Sequence, residues 1–235
     1  LRGCREGQVL VIAKILLQSL FGALFFGLVL FVPAGDAVWP QGWAYLVLFC
    51  AGTLATAFWM LHNDRRLLAA RMRSPPSANQ RPRDRFIAAL IFVVCCLWYG
   101  LIAVDARRFG WSHLPVWVEA AGALLVTWSF WGWITVLRAN SFAASTIEVQ
   151  TERGQSVITS GPYAWVRHPM YAYSIPFAVG TTLMLGSLWG LAGLIPFFLL
   201  LGARTLGEEA VLEEELIGYR DYVARVRYRL LPGVW

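Results

Sequence analysis

Long apolar runs separated by short polar stretches set the pattern of this chain. Ile15–Val32 gives 18 residues without a charge, Gly42–Leu61 gives 20 and Phe86–Val104 gives 19. Leu114–Leu137 gives 24, interrupted by Glu119, and Met170–Ala203 gives 34 uncharged residues. A helix of about 20 apolar residues crosses a bilayer core. At about 1.5 Å per residue the last run makes a helix of roughly 50 Å, too long for one crossing. Its middle holds Gly186, Ser187, Trp189 and Gly190, which is turn chemistry. The pattern predicts an all-α, polytopic integral membrane helical bundle of about six spans, the last two forming a short hairpin within 170–203. Gly180, Gly186, Gly190 and Gly193 are expected to let the two hairpin backbones approach. Pro176 and Pro196 are expected to kink them. Val9–Val32 imitates a secretory signal but has no small-residue cleavage site, and is read as a span.

Composition narrows the class. Of the 235 residues 58% are hydrophobic and only 14% charged, against roughly 25% charged in ordinary soluble domains. That excludes a disordered chain and argues against a soluble enzyme. Eighteen of the 20 Lys and Arg fall in segments 1–14, 62–85, 138–169 and 204–235, and the other two in the 105–113 loop. By the positive-inside bias both termini and the polar segments are expected to be cytoplasmic, in a prokaryotic plasma membrane or an internal membrane. The pI near 9.5 does not indicate a nucleic-acid partner. The arginines flank spans, where they meet anionic headgroups of membrane lipids, and no nucleic-acid module is visible. Segment 65–85, with Pro75, Pro76 and Pro82, is expected to be a loop. Cys4, Cys50, Cys95 and Cys96 form no C-x-x-C and the three histidines are dispersed, so no metal site is expected.

The polar information concentrates in two stretches that bracket the expected hairpin. The first, Asn140–Tyr173, contains Gly161-Pro162-Tyr163-Ala164-Trp165-Val166-Arg167-His168-Pro169-Met170-Tyr171. Pro169 fits the first turn of a helix. His168 then sits at an electropositive helix N-terminus that suits an anionic ligand group, and Arg167 adds a bidentate donor. Tyr163, Trp165 and Tyr171 offer aromatic faces for a flat base or a cation. An interfacial aromatic belt accounts for the same composition. The second stretch, Arg204–Pro232, contains Arg204 and Glu208 at i, i+4 spacing, hence on one helix face at a membrane boundary. Glu213-Glu214-Glu215 reads as a solvated helix end. Folding the hairpin back makes the two stretches neighbours.

The first stretch resembles the signature of the isoprenylcysteine carboxyl methyltransferase family, which is related to the membrane phospholipid N-methyltransferases. Arg167, His168, Pro169 and Tyr171 match its Arg-His-Pro-x-Tyr pattern. Arg204, Glu208, Glu209 and Leu212 match a later one, and Tyr219, Tyr222, Leu231 and Pro232 match its ending. The resemblance covers residues 138–235 and not the first four spans. It implies a membrane methyltransferase using S-adenosylmethionine. By this resemblance Tyr163, His168, Pro169, Tyr171 and Glu209 help hold the cofactor, with Arg167 read beside them as an anion donor. Arg204 and Glu208 resemble the pair at the reaction centre. The chain is then one structural domain, with a four-span membrane region at 1–137 and a cofactor-binding and catalytic region at 138–235. Two departures stand out: Tyr173 occupies a position often Gly, which is expected to reshape the cofactor pocket or the substrate entrance. The 138–145 segment also lacks a His that eukaryotic members carry.

The expected acceptor is a lipophilic small molecule or lipidated group, a prenylcysteine-like or other lipid carboxylate, entering sideways between spans. A phospholipid amine or a thiol is the alternative acceptor. An NADPH-dependent sterol-type reductase shares a similar ending, and a small transporter or non-enzymatic membrane module is the reading from another class. Charges deep in several spans or an inverted repeat would mark the latter, and neither is evident.

Overall fold

Each apolar run winds into helix, since a bilayer offers the backbone no other hydrogen-bond partner than itself. The computed structural model describes residues 2–72, 81–144, 146, 147 and 149–235. The helices are α1 (Arg2–Ala34), α2 (Pro40–Asn63), α3 (Arg65–Met72), α4 (Pro82–Ala103), α5 (Val116–Ala139), α6 (Pro169–Met184), α7 (Trp189–Ala192), α8 (Leu194–Glu215) and α9 (Tyr219–Arg225). Among the described residues there is no strand. Pro40, Pro82 and Pro169 each open a helix, where a missing N–H costs no helical bond.

Among the described residues five helical stretches are long and apolar enough to cross a membrane: Val9–Ala34, Pro40–Asn63, Pro82–Phe109, Val116–Ala139 and Trp189–Glu215. The count of six is therefore corrected. The helix α6 has 16 residues, roughly 24 Å at about 1.5 Å each, short of the ~30 Å hydrocarbon core. The expected partner of α6 is corrected too. Gly180 of α6 lies against Gly122 of α5, close enough that a side-chain carbon on Gly180 would come within 2.7 Å of the Gly122 carbonyl. A carbon on Gly122 would come within 2.4 Å of the Met184 nitrogen. Two facing glycines thus bind α6 to α5, while Gly193 receives Trp98 of α4 and Gly190 receives both Thr182 of α6 and Ile102 of α4. Pro196 falls in the first turn of α8, where it has no helical bond to break.

The 65–85 segment is corrected in part. Residues 65–72 form α3, whose buried Leu67 and Leu68 pack against Ile15, Met60 and Leu61. Asp64 caps it through its carboxylate, which accepts from the Leu67 N–H at 2.9 Å. Pro82 begins α4. Pro75 and Pro76 lie outside the described residues, as do Ser145 and the side chain of Cys4. Cys50, Cys95 and Cys96 are free thiols.

The loop expected at 105–113 starts later, because α4 continues as a π-helical turn, Val104–Phe109. That turn carries Asp105 into full burial. One carboxylate oxygen accepts from Ser112 Oγ at 2.7 Å, Ser187 Oγ at 2.6 Å and the Trp189 N–H at 3.2 Å. It ties the α6–α7 turn to the far end of α4. Replacing Asp105 by Ala leaves three donors unpaired, and we expect a loss of about 3–5 kcal/mol, at ~1–3 kcal/mol per orphaned group. Asp105→Asn keeps an acceptor and is expected to recover most of it. Thermal unfolding in detergent measures both, and equal melting of Asp105→Ala and the parent protein contradicts the role.

Candidate active site

The two polar stretches meet at one end of the bundle, where α5 and α8 finish and α6 begins. A short 3-10 turn, Gly161–Ala164, presents Tyr163. The chain then turns at Trp165 and bends at Arg167 before entering α6. The C-terminal segment pins it there: Arg167 N–H donates to Tyr228 O and His168 N–H to Arg229 O, both at 2.9 Å. The helix α9 adds Tyr222, whose hydroxyl donates to Tyr163 O at 2.8 Å. At the start of α6 the first helical hydrogen bond joins Ala172 N–H to His168 O. The amides of Met170 and Tyr171 are left without an acceptor inside the helix.

A cavity of about 890 Å³, its open mouth included, lies against these residues. Of the residues singled out from sequence, Tyr163, Arg167, His168, Tyr171 and Glu208 line it. Glu209 does not. It sits behind the wall, buried, where one oxygen meets Arg167 Nε at 2.6 Å and His168 Nε2 at 3.3 Å. Its other oxygen accepts from Arg229 Nε at 2.6 Å. The Arg167 guanidinium is accordingly engaged by Glu209 and by Val226 O at 3.2 Å. Pro169 opens α6 as expected, but its ring lines an apolar groove on the opposite face.

The Arg204–Glu208 pair predicted from spacing is present in a different form. The Tyr171 hydroxyl joins the two, accepting from Arg204 Nε at 3.0 Å and donating to Glu208 Oε2 at 2.7 Å. Glu208 is the carboxylate that faces the cavity, and His168 Nδ1 lies 3.9 Å from it. Tyr173, flagged for its bulk, stays out of the cavity. It packs edge-on to Trp128 and fills the gap above Gly132, where a side-chain carbon would come within 2.2 Å of its ring. It borders the same apolar groove as Pro169.

The phenols around the cavity are neutral donors. Burial pushes Tyr163 up to about 12, with the nearby Glu208 carboxylate adding to the shift. Burial raises Tyr219 as well, helped by Glu209 and Glu208, and raises Tyr222. None of them is a base at neutral pH. Asn140 Nδ2 donates to the Tyr163 hydroxyl at 2.8 Å.

Five contributors were not singled out as site residues from sequence. Asn140 ends α5, and its signal was only a polar residue after an apolar run. Tyr219 and Tyr222 belong to the matched C-terminal pattern but carried no assigned role. Arg229 is one of five basic residues after Ala203, and nothing local distinguishes it. Asp84 is buried in the first turn of α4 with one oxygen facing Gly207 of α8. A lone charge at a helix start gives no hint of which neighbour it faces.

No curated protein matches the chain significantly. Residues 117–216 match the family model of the phospholipid methyltransferases. That stretch spans α5, α6 and α8 and carries the Arg167–Tyr171 motif together with Arg204, Glu208 and Glu209. Over residues 117–216, less than half of its length, the chain is similar to the phospholipid methyltransferases.

Proposed function

We propose that the protein transfers a methyl group from S-adenosylmethionine to a lipophilic acceptor, with a lipid carboxylate as the favoured acceptor class. The observation that carries this reading is the cavity at the basic end of an apolar bundle, walled by neutral phenols and one facing carboxylate. The residues fit such a cofactor. The Tyr219 hydroxyl, on the cavity wall, is buried without a hydrogen-bond partner among the described residues, so a ligand acceptor atom satisfies it. The amides at the start of α6 suit a carboxylate. The rings of Tyr163 and Tyr222 offer flat faces for a base. Glu208 suits a positive centre.

When bound, S-adenosylmethionine supplies a methyl carbon on a sulfonium that leaves as a neutral thioether, so no general acid is needed. Tyr171 fixes Glu208 relative to Arg204, and Arg204 orients an acceptor carboxylate. A carboxylate is a nucleophile as it stands. The chain's contribution is then alignment and exclusion of water. A second reading, an amine of a phospholipid as acceptor, is favoured by the description of the matched family. Glu208 then takes the proton that the amine must lose.

Calorimetry of S-adenosylmethionine and its demethylated product with detergent-purified protein tests the reading. Saturable binding is expected, weakened about tenfold or more in His168→Ala, since a charge-assisted contact is worth about 1.5–3 kcal/mol. Absence of binding by folded protein overturns it, and NADPH is the next ligand to test.

A further inference from the structure

A second cavity, of about 700 Å³ with its opening, lies between α1, α2 and α3 and outside the family match. Its long walls are Ile15, Ser19 and Gly22 of α1 and Phe49, Thr53 and Met60 of α2. Residues 15–22 and 49–60 span roughly 10–16 Å along their helices at about 1.5 Å per residue. That is about one leaflet of a ~30 Å core. Thr53 turns its hydroxyl back onto Phe49 O and Cys50 O, leaving its methyl for the slot. The slot is therefore shaped for one hydrocarbon chain.

Its end at the membrane surface is basic. Arg71, the last arginine of α3, lines it, and Lys14 precedes Ile15 on α1. Arg65 and Arg66 lie exposed on the same short helix α3. No acidic residue lines the slot among the described residues. Asp64, the acid of that corner, is engaged as the cap of α3. Arg71 makes no ion pair among the described residues, and its Nη1 donates to Ala143 O at 2.7 Å. Burial pulls its pKa below the ordinary guanidinium value, a cost that an anion beside it offsets.

We infer that this slot binds an anionic phospholipid from the leaflet at the basic end of the bundle, with one acyl chain between α1 and α2 and the phosphate on Arg71. Charge selects the headgroup and the slot selects a chain. The slot adjoins the first cavity through Arg71, which holds Ala143 and lies within electrostatic reach of Tyr163, both on that cavity's wall.

The test is electron paramagnetic resonance of spin-labelled phosphatidylglycerol and phosphatidylcholine with the full chain in nanodiscs. An approximately fivefold preference for phosphatidylglycerol is expected, the effect of one well-placed basic residue. Arg71→Gln is expected to bring the preference close to parity, and Arg71→Lys to keep most of it. Gly22→Leu leaves every charge in place and extends into open space, as a carbon at Gly22 meets nothing within 4 Å. It is expected to remove the preference by filling the slot, and it carries the test if Arg71→Gln does not fold. The proposal is overturned if the native protein shows no preference. It is equally overturned if the preference survives both Arg71→Gln and Gly22→Leu, because exposed arginines then attract the lipid without a pocket.

Discussion

Glu208→Ala is expected to lower methyl transfer by at least about 10²–10³-fold while the protein keeps its fold. The size follows from removing a preorganised charge that faces the reacting groups. Glu208 is partly exposed to the cavity and held by the Tyr171 hydroxyl at 2.7 Å. Its own carboxylate is partly exposed, so most of the loss is expected to fall on function. Arg204→Ala is expected to match it, since Arg204 is the group proposed to orient the acceptor carboxylate. Tyr171→Phe keeps the ring, which stacks on His168, and loses only the bridge. A smaller loss is expected there, about 10-fold for one neutral hydrogen bond. Initial rates with S-adenosylmethionine and a lipid carboxylate, alongside circular dichroism, distinguish these cases. Normal turnover in Glu208→Ala or Arg204→Ala removes the pair from the reaction centre.

Glu209→Ala is expected to fail by a different route, through stability. Glu209 is the common anion of Arg167, His168 and Arg229. The Arg167 and Glu209 side chains are 5% and 6% exposed. Deleting one partner of such a pair leaves a buried, uncompensated charge, which costs about 3–5 kcal/mol. The melting temperature in detergent should fall by several degrees at least, and the 166–168 segment should lose its order. Glu209→Gln preserves shape but not charge and is expected to lie close to the Ala variant. Arg229→Ala is expected to be milder, because its side chain is 30% exposed and solvent reaches the gap. A Glu209→Ala protein that melts with the parent contradicts the clamp. Loss of activity without loss of stability assigns Glu209 to the ligand instead.

The contrast between adjacent glutamates marks the limit of reading a motif. Glu208 and Glu209 stand one residue apart on α8, so their side chains diverge by about 100° on a helix of 3.6 residues per turn. One reaches the cavity and the other the clamp behind it. The sequence fixes that they diverge but not which direction is ligand and which is protein. Pro169 and Tyr173 behave alike: both lie in the motif region, and both face the apolar groove.

The apolar runs by themselves determined the helical class, the membrane setting and most helix positions, because hydropathy and hydrogen-bond closure are local properties of a chain in lipid. The chain order of the two polar stretches also determined that they share one end of the bundle. Tertiary structure alone decided that α6 pairs with α5, since that choice rests on Gly122 and Gly180 meeting across 58 residues of sequence. It alone placed Tyr171 between Arg204 and Glu208, and Asp105 under the α6–α7 turn. Contacts of this kind depend on how side-chain shapes and unpaired polar atoms fit across helices. Neither quantity is written in the period or composition of any single segment.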